Sequence, residues 1–189
     1  MNSKLSFLAM SGLILLFGTV ANAAENHSSF KVLLGGKSLD SDWGKDDSMD
    51  TIGFQSTYQP ASLPFGIALD FFGSGNENKN SGNTTETTVG EINLGLRYQP
   101  TILAGAFAPY LGAGISYVSV ELEEYSSGVK RNYEDTGTGY WIGGGIDYLF
   151  AQRWSIGIDA RYSSADVELN GETRDAGGIG WGANIGYRF

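Results

Sequence analysis

Ile179-Gly180-Trp181-Gly182-Ala183-Asn184-Ile185-Gly186-Tyr187-Arg188-Phe189 is the stretch on which the fold turns. Its odd positions carry Ile, Trp, Ala, Ile, Tyr and Phe; its even positions carry Gly, Gly, Asn, Gly and Arg. Successive side chains of a strand point to opposite faces, so this segment reads as a strand with one apolar face and one polar, glycine-rich face. The same beat runs upstream. Trp154, Ile156, Ile158, Ala160 and Tyr162 oppose Ser155, Gly157, Asp159, Arg161 and Ser163. Tyr140, Ile142, Ile146, Tyr148 and Phe150 oppose Trp141, Gly143, Gly145, Asp147 and Leu149. Further strands follow around Leu111–Tyr117, Ile92–Tyr98, Phe65–Phe71, Ile52–Tyr58 and Phe30–Leu34, the last with Leu33 out of phase. Eight strands result.

The connections are of two kinds. Gln59–Pro64, Gln99–Ala108 and Ala151–Arg153 are short and apolar or Pro-bearing. Asp40–Met49, Ser74–Glu86, Glu123–Asp135 and Asn170–Gly177 are longer and polar, and are expected to be loops. The two kinds alternate along the chain, as an up-and-down antiparallel barrel requires, with tight turns on one rim and long loops on the other. A barrel can hold its apolar face inward around a ligand or outward against lipid. The polar face decides for lipid. It holds Lys31, Lys37, Arg97, Arg161 and Arg188 against Asp70, Glu91, Asp147 and Asp159, among many glycines. A solvated surface needs no such balance, whereas a narrow interior needs small residues and paired charges. Tyr58, Phe65, Tyr98, Tyr148, Phe150, Trp154, Tyr187 and Phe189 mark the short-turn ends, and Tyr117, Tyr140, Tyr162 and Trp181 the long-loop ends. Two aromatic belts around an aliphatic band suit the two interfaces of a bilayer. The fold class is therefore all-β, an eight-stranded antiparallel up-and-down transmembrane β-barrel.

Residues 1–23 read as an export signal: Lys4, an apolar run through Leu13-Ile14-Leu15-Leu16-Phe17, and Ala21-Asn22-Ala23 for cleavage before Ala24. Residues 24–189 form the barrel. Of 12 Lys+Arg in the chain, Lys4 lies in the signal, leaving 11 bases against 21 acids, an excess that falls at the long-loop end. The densest groups are Asp40, Asp42, Asp46, Asp47 and Asp50, then Glu121, Glu123, Glu124, Glu134 and Asp135. Such a rim keeps loops solvated and attracts basic partners or divalent cations. It repels nucleic acid. Asp40-x-Asp42 opens like a calcium loop, but the later ligand positions fail, so no metal site is assigned. The chain has no Cys and one His, His27 near the start of the barrel, which leaves no hydrolytic dyad at the far rim. Gly35-Gly36-Lys37-Ser38 lacks the first glycine of a phosphate loop. No catalytic residue and no cofactor are expected.

The region after the export signal resembles the small eight-stranded outer-membrane β-barrel family, the group of the OmpA transmembrane domain and OmpX-like proteins. The ending Gly186-Tyr187-Arg188-Phe189, with Phe189 closing an alternating strand, carries the resemblance most specifically. It implies that Tyr187 and Phe189 are the signal read by the barrel-assembly machinery. It also implies that both termini face the periplasm, that the long loops face outside, and that lipid and lipopolysaccharide surround the barrel. Eight strands enclose a lumen that side chains can just fill. Lys31, Asp70, Glu91, Arg97, Asp147, Asp159, Arg161 and Arg188 are the expected ion-paired plug. Function is then structural, or lies in surface contact and adhesion to host or cell-surface ligands through the loops. The alternative is a narrow OmpW-like path for small solutes, with Leu33, Phe72, Trp141 and Leu149 as an apolar entrance.

Overall fold

The structure is a computed structural model that describes residues 26–40, 48–80, 83–103, 105–126, 129–151, 153–169 and 171–189. The expected signal at 1–23 and the acids Asp42, Asp46 and Asp47 lie outside the described residues. In chain order the strands are β1 (His27–Leu39), β2 (Ser48–Gln59), β3 (Phe65–Asn80), β4 (Asn83–Tyr98), β5 (Phe107–Ser126), β6 (Val129–Phe150), β7 (Trp154–Ser164), β8 (Asp166–Leu169), β9 (Glu172–Asp175) and β10 (Gly178–Arg188). Eight of them close a barrel in the order β1-β10-β7-β6-β5-β4-β3-β2, each antiparallel to its neighbours. The seam is β1 on β10, with Phe30 opposite Tyr187 and Val32 opposite Ile185. β8 and β9 form a separate hairpin between β7 and β10.

The faces of the barrel follow the period-two reading. Ile158 is 64% exposed, and its neighbour Asp159 on the other face only 5%. Leu94, Leu96 and Ile156 likewise point outward, and Arg97 inward. A closed barrel satisfies its backbone within the sheet, which is what a strand needs in order to face hydrocarbon. Inward glycines leave room for the large side chains of neighbouring strands. A Cβ on Gly180 would lie 2.8 Å from the Arg161 guanidinium carbon, and one on Gly182 would lie 2.7 Å from the Leu33 side chain. Leu33 was out of phase for that reason: it is an inward apolar residue filling the space above a glycine, and β1 is a full 13-residue strand.

Two expectations change. Ser74–Glu86 and Glu123–Asp135 are not long loops. β3 and β4 stay paired to Asn80 opposite Asn83, and β5 and β6 to Ser126 opposite Val129. The four strands β3–β6 thus run on as one ribbon, because Thr, Glu and Asn can hold a backbone ladder in water without an apolar face to announce it. Nor is the inward face polar throughout. Toward the loop end Leu39, Met49, Val89, Val118, Val120, Ala165, Val167 and Ala176 are buried in one cluster, with Tyr133 against it. The phase of the alternation inverts there. On β5 the apolar residues leave the outward set Leu111, Ile115 and Tyr117 and pass to the inward set Val118 and Val120, with no residue inserted. On β2 the change runs from outward Ile52 and Phe54 to inward Met49.

Candidate functional site, the filled lumen

Two charged groups stack inside the barrel. Nearer the short turns, the Lys31 ammonium lies 2.6 Å from Asp147, and Arg97 donates to Asp70 at 2.7 Å and to the Thr57 hydroxyl at 2.7 Å. Tyr110 stands between the two bases, its ring centroid 4.5 Å from Lys31 and 4.8 Å from Arg97. A cation over an aromatic face is attracted by the ring quadrupole, so one tyrosine serves both. Gln99 donates to Asp147 at 2.7 Å, and Gln55 donates to Asp159 at 3.0 Å. Nearer the loop end, Glu91 is met by Lys37, by the Arg161 guanidinium at 3.8 Å and by the Ser163 hydroxyl at 3.0 Å. The Arg161 guanidinium carbon lies over the Phe72 ring, 3.4 Å from its centroid.

These contacts join distant strands. Lys31 of β1 reaches β6, Lys37 of β1 reaches β4, and Arg161 of β7 reaches β4. Each desolvated charge has an opposite partner within reach or a neutral donor, the condition under which buried ions are tolerated. The expected plug residues sort as follows. Lys31, Asp70, Glu91, Arg97, Asp147 and Arg161 are brought into ion pairs. Asp159 is met by Gln55 rather than by a base. Arg188 is half-buried at the short-turn mouth, where it feels the Asp147 charge. The plug expected from the sequence left out Lys37, although it was placed on the inner face, and also Gln55, Gln99, Ser163 and Tyr110. Lys37, Gln55 and Ser163 were on the polar face by period, and Tyr110 is inward because Leu111 is outward. The side chains suggested as an apolar entrance do not gather at one. Leu33, Phe72 and Trp141 are buried inside, Phe72 beneath Arg161, and Leu149 is half-buried opposite Ser155 near the short turns.

Above Glu91 the valine cluster begins, roofed by the β8–β9 hairpin. Asp175 holds that hairpin in place. Its carboxylate accepts from the Ala165 amide at 3.0 Å, the Gly177 amide at 2.7 Å and the Ser164 hydroxyl at 2.8 Å. Burial acts to raise its pKa, but these hydrogen bonds outweigh burial and hold the group below the usual carboxylate range. Lys37 ties the two levels together, donating at 2.9 Å to the Ala176 carbonyl while pairing with Glu91. Outside the barrel the ribbon is acidic. Glu77 is opposite Glu86, Glu86 opposite Glu123, and Glu121 opposite Glu134. Lys130 offsets part of this, 2.7 Å from Glu123. At the other rim Phe189 packs edge-on to Tyr187 at 5.1 Å, and Tyr187 to Trp154 at 5.2 Å. His27 is exposed at the start of β1, at that same rim.

Comparison with known proteins places this architecture. The outer membrane protein beta-barrel domain family matches residues 9–189. An uncharacterized outer-membrane protein of Sinorhizobium fredii is 29% identical over 94 residues, 45% of this chain and 41% of that protein, so the match spans less than half of that relative. Among solved structures, Neisserial surface protein A superposes with a TM-score of 0.63 at 16% identity, covering 87% of this chain and 97% of that one. Ail, the attachment invasion locus protein of Yersinia pestis, was solved in complex with the heparin analogue sucrose octasulfate. It superposes at 0.59 with 17% identity, covering 87% of this chain and 99% of that one.

Proposed function

Since the chain belongs to the outer membrane protein beta-barrel domain family, we propose that it is an integral outer-membrane barrel with a closed lumen, serving envelope structure and surface contact. The observation that carries the closed lumen is the stack of charged pairs beneath the valine cluster, two fillings in series across one narrow barrel. Its short turns and termini face the periplasm, and its ribbon faces outward among lipopolysaccharide. Tyr187, half-buried near the end of β10, and the exposed Phe189 just beyond it pack edge-on and suit recognition by the assembly machinery. Ail was solved with a sulfated ligand. The like-charged glutamates in register here favour basic ligands instead, since charge complementarity selects partners and speeds their encounter.

A planar-bilayer recording tests the lumen. No stable unitary current is expected from the folded protein, and large steady steps overturn the reading. The rival is a narrow OmpW-like path for small solutes, which draws on the apolar side chains inside. Liposome swelling separates the two: uptake at the rate of protein-free vesicles supports the closed barrel, and swelling graded by solute size supports the path. Protease applied to whole cells tests orientation, with cleavage at Lys130-Arg131 expected.

A further inference from the structure

The two rims differ in more than loop length. The loop end is acidic, whereas Gln59–Leu69 and Gln99–Ala108 contain no charged residue. These segments hold the β2–β3 and β4–β5 turns, and their tips present Leu63, Ile102 and Leu103 to the surroundings. Leu103 is 70% exposed and has φ 51°, a left-handed conformation that a leucine adopts only when the fold holds it there. A turn bathed in water gains nothing from these residues. Several of the turn amides are bonded within the chain. The Ile102 amide donates to Phe107 O at 2.8 Å, and the Ile102 carbonyl accepts from the Phe107 amide at 3.3 Å; Gly105 donates to Ile102 O and Ala106 to Leu103 O; and the Ala106 carbonyl accepts from Leu149 at 2.8 Å. In the first turn Leu63 donates to Pro60 O at 3.1 Å, and Ala61 to the Asn26 side chain at 3.1 Å. The third turn is built otherwise: exposed Arg153 donates to the Tyr187 hydroxyl at 3.3 Å.

We propose that the β2–β3 and β4–β5 turns are immersed in the lipid interface on the short-turn side, with Leu103 as the principal contact. The apolar surface of Leu63, Ile102 and Leu103 continues the outward band of Ile67, Leu96 and Leu111 past the aromatic belt at Phe65 and Tyr98. Chain that bonds many of its own amides and carries no charge can enter a region poor in water at a lower cost than a charged, open loop. The occupant is the lipid surface itself, and the membrane band and the turns are one continuous interface.

The chain lacks cysteine, so single replacements report one site each. Leu103→Cys, Leu94→Cys in the outward band and Ser126→Cys at the ribbon tip are each given a nitroxide. The full-length protein is then folded into phosphatidylethanolamine–phosphatidylglycerol vesicles. Collision with dissolved oxygen is compared with collision with an aqueous nickel chelate. The Leu103 label is expected to resemble Leu94, favouring oxygen several-fold over the ratio at Ser126. A Leu103 label that matches Ser126 while Leu94 stays lipid-like overturns the immersed turn and leaves the spanning barrel intact. An aqueous Leu94 label overturns both.

Discussion

The two halves of the lumen are equally well buried but are filled by opposite chemistry. The half toward the short turns is a set of desolvated ions, Lys31 with Asp147 and Arg97 with Asp70, bridged by Tyr110. Above the Lys37–Glu91–Arg161 group, toward the loops, the filling is hydrocarbon, with Val89, Val118 and Val120 on the strands and Val167 on the hairpin. The reason lies outside the barrel. Where lipid is the neighbour, apolar residues are drawn outward and the interior receives the polar ones. Where water is the neighbour, the ordinary hydrophobic drive reasserts itself and turns the same strand inside out. The inversion between Tyr117 and Val118 marks that boundary on β5, beside the aromatic belt.

Substitutions can break this contrast. Glu91→Leu should cost the most, about 3–5 kcal/mol, because Lys37 and Arg161 are left buried without their acid. Urea unfolding in detergent, followed by gel mobility of unboiled protein, reads the loss. Replacing Lys37, Glu91 and Arg161 together by apolar residues of similar size should recover most of it. Val118→Thr, close in shape, buries a hydroxyl in the valine cluster and should cost about 1–3 kcal/mol. Ser116→Thr, one inward position away and already polar, should cost much less in the same assay. Asp175→Ala removes the acceptor of two amides and one hydroxyl and should loosen the hairpin by about 1–2 kcal/mol, read as faster hydrogen exchange at Ala165 and Gly177. The pH dependence has a fixed sign. A carboxyl depressed in the folded state stabilises above its unfolded value of about 3.9 and loses that contribution as pH falls through the lower folded value. Protection at both amides should therefore hold from neutral pH down to about 5, fall below about 4, and be flat in the Asp175→Ala variant. Lys130→Ala, at a solvent-screened pair, should leave the unfolding midpoint unchanged.

The spanning part of the barrel was legible because lipid imposes a strict two-beat on the sequence. Ile156, Ile158, Leu94 and Leu96 declare their face, and Asp159 and Arg97 theirs. The ribbon was not legible. Glu121, Glu123 and Thr88 are polar on a strand wet on its outer face, and polarity without periodicity reads as a loop. The valine cluster was missed for a related reason: a reading that ends at Tyr117 never meets the change of phase at Val118. The ion-pair partners could not be read either. Period two gives the face of Lys37 and of Glu91, but only the stagger of the closed sheet sets β1 against β4 across the lumen.

The reach of β1 has a consequence for assembly. Lys31 and Lys37 sit on the first barrel strand and find their acids on β6 and β4, and that strand is held on one side by β10, the barrel strand furthest from it in chain order among the described residues. A partly inserted sheet would expose these ammonium groups to hydrocarbon with no counter-ion in place. Insertion and ring closure are then coupled, since a sheet in which β10 has not yet paired with β1 would leave these bases unpaired in the bilayer.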